Sequence, residues 1–100
     1  MNYISEIAER IRREVPQEVL PEGDTDLLFL MYAVLALTVG QDVRAEDVHD
    51  TWSAWMTYRD PSHQSIKPFA QLDLATKKAD RPFVDAIKKV ATPLPYEETR

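Results

Sequence analysis

The chain predicts an all-α fold, a small single-domain helical bundle of about four to five helices. Apolar residues recur at three- and four-residue steps in several stretches. No stretch shows the apolar–polar alternation of a half-buried strand, and proline or glycine separates the periodic segments. At 100 residues and 44% hydrophobic, the sequence suits one compact domain with its own core.

Each element follows from local pattern. Over residues 2–15, Ile4, Ile7, Ile11 and Val15 form one stripe, with Glu and Arg on the opposite face, and Pro16 stops the helix. Residues 16–23 read as a linker turning at Pro21 and Gly23. Asp24 or Thr25 is placed to cap the next helix, 25–39. That helix is apolar nearly all round, so it is expected to be the central one, and Leu30→Asp is expected to abolish folding. Gly40 ends it.

A third helix is expected over 45–58, with Val48, Trp52, Trp55 and Met56 on one face and acids near its positive end. Pro61 and Pro68 make 59–69 a loop, pinned by Ile66 and Phe69. A short helical segment over 71–79 follows. Asp80 as cap, with Pro82 in the first turn, then starts a closing helix to residue 91 that buries Phe83, Val84, Ile87 and Val90. The domain is thus expected over 1–91, with 92–100 as a flexible tail containing Pro93 and Pro95.

Composition narrows function. The absence of cysteine removes disulfides, thiolate catalysis and Cys-ligated metal centres. A net charge of -5 argues against nucleic acid as a partner. The apolar run 27–39 falls short of the roughly 20 residues that span a bilayer, and no signal segment is visible, so a cytoplasmic protein without membrane contact is expected. Two glycines leave no phosphate-cradling loop. Ser53 lies one turn beyond His49 but has no evident orienting acid or oxyanion nest, so no enzyme, cofactor or metal is expected.

His49 and Trp52 neighbour each other on the third helix. They read either as a ligand wall, with the indole stacking on a flat heterocycle, or as core; the spacing by itself favours core. Trp55 is one step round from Trp52, so one of the pair is expected over a groove or at the surface. His63 sits in the proline-bounded loop. Arg81, beside Lys77 and Lys78, reads as a solvated base or as part of an anion site at a helix start.

The order Val48-His49-x-x-Trp52, then Ile66-Lys67-Pro68-Phe69 with Leu72, then Lys77 through Asp80-Arg81 resembles the repeat domain of ryanodine receptors. The chain is also similar to small proteins of actinobacteria and their phages, through its Asp-Val-His-Asp-x-Trp-x-x-Trp-Met stretch. The resemblance implies a helical module that grips an adenine or NAD-derived nucleotide against tryptophan. Carried over, the ligand-binding residues are His49, Trp52, His63, Asp80 and Arg81. Met56 stands where a basic residue often faces phosphate, and only one repeat is present, so the second wall is expected from a homodimer. The competing expectation is a protein-interaction module that uses Trp55 and Tyr58 as anchors and binds no small molecule.

Overall fold

A computed structural model describes residues 2–91, and every regular element among them is helical. Helix α1 (Tyr3–Glu14) begins where the Asn2 side chain accepts the Ser5 amide at 2.8 Å. Ile7, Ala8 and Ile11 seal its inner face. A single 3₁₀ turn, Gln17–Val19, follows Pro16.

Helix α2 (Asp26–Thr38) packs against α1, and the two are fastened by one arginine. Arg12 donates to the Thr25 hydroxyl at 2.8 Å and to Asp26 at 2.9 Å, while its guanidinium lies 4.5 Å from the centre of the Phe29 ring. Thr25 is therefore spent on Arg12, and it is Asp24 that accepts the Asp26 amide, at 2.9 Å. Gly40, at φ 63°, ends α2 in the left-handed region as its sequence position suggested.

Helices α3 (Ala45–Arg59) and α5 (Arg81–Val90) complete the cover of α2, with the five-residue α4 (Leu74–Lys78) just before α5. Leu28, Phe29, Tyr32 and Ile87 occupy the centre of the core. The all-round burial expected of α2 needs correcting. Leu27 is 53% exposed and Val34 48%, and Leu30 is only half-buried. Coverage comes from α1, α3 and α5, and three neighbours leave one stripe of a helix open.

The connections are tied down individually. Arg59 lies 4.5 Å from the centre of the Trp55 ring and donates to the Glu22 carbonyl at 3.3 Å, holding the 16–24 linker against α3. Gly23 is needed there because its φ is 84°, a conformation that side chains rarely adopt. The 60–68 loop is stitched by short turns, among them His63 N–H to the Asp60 carbonyl at 3.0 Å. A 3₁₀ turn, Phe69–Gln71, leads to Asp73, which caps α4 by accepting the Thr76 amide at 2.8 Å. That bond holds the Asp73 carboxyl below the usual range. The expected tail, 92–100, lies outside the described residues. Among the described residues no helix is long and apolar enough to cross a membrane.

Candidate functional site

Helix α3 turns two polar aromatics toward the loop and α5. His49 is buried at 3% exposure. Its Nε2–H donates to the Lys67 carbonyl at 2.7 Å, which joins α3 to the proline-bounded loop. The Ser53 hydroxyl lies 3.3 Å from the same nitrogen. A nitrogen that donates to a carbonyl has no lone pair with which to take the serine proton, so this pair is not set up to make a nucleophile.

Trp52 is half-buried, one helical turn on. Its ring stacks with His49 at 5.8 Å between centroids and meets His63 edge-on at 5.1 Å. His63 Nδ1 accepts the Ser65 amide at 3.1 Å, which leaves the proton of the neutral ring on Nε2. Phe69 closes the row at 6.1 Å from His49. His63 thus props Trp52 rather than standing in the cavity beyond it.

That cavity is a groove of about 620 Å³, open to solvent. Val19 and Pro21 form one wall and Trp52 another; Tyr32 and Phe83 make the floor, and Lys78, Asp80 and Pro82 stand along the far side. The linker reaches the groove because Arg59 pins it there. The size falls in the range of small-molecule sites, and the lining is mainly apolar with few polar groups, as such sites require.

Asp80 is the exception among those walls. Its expected role was to cap α5, and here the structure differs: the residue has helical angles, φ -80° and ψ -16°, and its side chain makes no cap bond. The carboxyl turns inward instead, and its Oδ2 is buried without a hydrogen-bond partner. Burial pushes its pKa up to about 6, partly offset by the charge of nearby His49. Burial, and then the Asp80 charge, push the Tyr32 hydroxyl upward as well, so it stays protonated. An unmatched carboxylate oxygen in an apolar hollow is costly, on the order of 1–3 kcal/mol or more for a charged group.

Arg81 points elsewhere. It pairs with Asp85 at 3.2 Å and, with Lys77, Lys78 and Ala45, borders a shallow shelf beside the groove. Lys78 belongs to both hollows. The helix start adds little to anion binding there. Pro82 has no N–H, and the Phe83 and Val84 amides are both taken by the Asp80 carbonyl at 3.1 Å.

Of the residues expected to bind ligand, His49, Trp52 and Asp80 therefore come together, His63 supports Trp52 from behind, and Arg81 lies on the adjoining shelf. Of the expected contact anchors, Tyr58 is 90% exposed, but Trp55 is buried at 3% beneath Arg59 and presents no surface to a partner. The reason is helical phase: the step from 52 to 55 carries Trp55 into the core and Trp52 to the rim. Tyr32 and Phe83 were missed as site residues, whereas Lys78 was noted only as a neighbour of Arg81. Within an apolar run, the Tyr32 hydroxyl was the one signal available.

The family model described as Domain of unknown function (DUF7701) matches residues 2–92, so the chain belongs to that family. No curated protein and no solved structure matches it.

Proposed function

We propose that this family member is a non-enzymatic binding module whose groove takes an adenine or NAD-derived nucleotide. The observation that carries the reading is an apolar groove walled by Trp52 and bordered by Asp80, whose buried Oδ2 has no hydrogen-bond partner. A flat heterocycle would replace water against Trp52, and an amino group on it would satisfy the acid once the carboxyl turns from its buried position to face the groove. Lys78 joins the groove to the shelf bearing Lys77 and Arg81, which supplies cations where the phosphates of such a ligand would emerge. This gives Arg81 a part in phosphate contact rather than in base recognition.

Calorimetric titration with ATP, ADP-ribose, cyclic ADP-ribose and NAD tests the reading. Saturable heat that Trp52→Ala removes is expected; no heat at millimolar ligand ends it. A second reading, protein contact through Tyr58 and the 60–68 loop, draws on the near-complete exposure of Tyr58. Capture of a partner that is lost in Tyr58→Ala and retained in Trp52→Ala would favour it.

A further inference from the structure

We infer that Asp80 is the specificity-determining group of the groove, reading an adenine edge as a neutral carboxylic acid and taking up a proton when the base binds. This rests on the nucleotide reading above and adds the hydrogen-bonding pattern. Adenine presents an N–H donor beside a ring-nitrogen acceptor on either of two edges, N6 with N1 or N6 with N7. Turned so that both oxygens face the groove, a carboxylate offers two acceptors, so one oxygen suits the amino group while the other faces a lone pair. A neutral carboxyl offers one acceptor and one O–H donor, and both match. Guanine shows the opposite preference, because its N1–H and N2–H are adjacent donors that suit the ionised carboxylate. The proton gained with adenine passes from hydronium to the carboxyl oxygen, forming its O–H bond and leaving water; no other covalent bond changes.

The surroundings support a neutral form. The Oδ2 is already out of water, and no protein donor compensates it. Burial brings its titration to about 6, and a bound base removing more water would raise it further. The groups facing Asp80 are Tyr32 from α2, His49 from α3 and Lys78 from α4, while Arg81 on its own helix is engaged by Asp85. Tyr32 stays neutral across the range that matters. Both histidines touch Trp52, His49 at 5.8 Å and His63 at 5.1 Å, so the test must separate them from Asp80.

The test is calorimetry on the intact chain from pH 5.5 to 8.5 with NAD and with its guanine counterpart, nicotinamide guanine dinucleotide, whose phosphates are the same. Repeating each titration in buffers of different ionisation enthalpy counts the protons taken up. For NAD, affinity is expected to fall toward about tenfold per pH unit at the alkaline end, with uptake approaching one proton. For the guanine ligand it is expected to rise with pH. Asp80→Asn supplies the donor and acceptor permanently, in the pairing asparagine makes with adenine, so NAD binding becomes pH-independent with no proton taken up. Uptake that persists in Asp80→Asn assigns the proton to a group other than Asp80 and overturns the inference, as does pH-independent binding to the native chain. Absence of binding by either ligand at every pH removes the nucleotide reading itself, a different outcome from binding without proton uptake.

Discussion

The α1–α2–α5 side and the α3–loop–α4 side of this bundle bury their residues by opposite means. On the first, Ile7, Ile11, Leu28 and Ile87 are fully sealed, and the polar group nearest them, Arg12, has its partners at 2.8 and 2.9 Å. On the second, Val48 and Trp55 are sealed as well, but polar His49 and Asp80 also turn inward, Trp52 stands at the rim, and one carboxyl oxygen is left without a partner. The first arrangement maximises apolar burial, which drives folding. The second holds back stability at one place, and places where a chain does this are often where it binds something.

Mutations break this comparison in graded fashion. The largest effect belongs to the sealed side. Leu28→Ala removes a buried side chain and is expected to lower stability by about 2–5 kcal/mol in thermal or urea unfolding. Because Leu28 has no exposed surface whereas Leu30 is half-buried, Leu28→Asp rather than Leu30→Asp is the substitution expected to abolish folding.

The two tryptophans come next, since they share a helix and differ in setting. Trp55→Ala is expected to cost about 3–5 kcal/mol, because it empties the core and releases Arg59 from the linker. Trp52→Ala should cost clearly less by the same measurement while removing ligand binding. Equal losses for both would erase the distinction between rim and core.

Asp80→Asn sharpens the comparison with a change of sign. Since the folded carboxyl titrates at about 6 rather than 3.8, the native state holds its proton over a range where the unfolded chain has lost it. Stability contributed by this group is therefore greatest below the unfolded value and declines as pH rises through about 6. Asp80→Asn should accordingly melt higher than the native chain at pH 7.5, by roughly 1 kcal/mol after allowance for solvent screening, and the gain should vanish near pH 4. A lower melting temperature at pH 7.5 would mean that the carboxylate is matched after all. Arg81→Gln marks the small end: its exposed pair with Asp85 should shift stability by less than about 0.5 kcal/mol.

Much of the fold was legible in the residues, for physical reasons. Stripes at helical spacing, Pro16, Gly40 and the Asp80-Arg81-Pro82 start all act locally, and α1, α2, α3 and α5 fall within a residue of where those signals put them, while α4 starts at Leu74, three residues after the expected Gln71. Which way a side chain points when two choices are locally acceptable is settled by partners far along the chain. Thr25 gave up its capping role because Arg12 reaches it, and Trp55 rather than Trp52 joined the core, with Arg59 over its ring. The groove itself depends on the linker residues Val19 and Pro21 being held over α3, a juxtaposition that no spacing encodes.

The central claim, that Trp52 and Asp80 wall a ligand site, is most directly tested by fluorescence of a Trp55→Phe variant, in which Trp52 is the sole indole. Titration with NAD at pH 6 should give saturable quenching as the base stacks on that ring, and Asp80→Ala in the same background should abolish it. An emission that stays constant up to millimolar NAD would contradict the account.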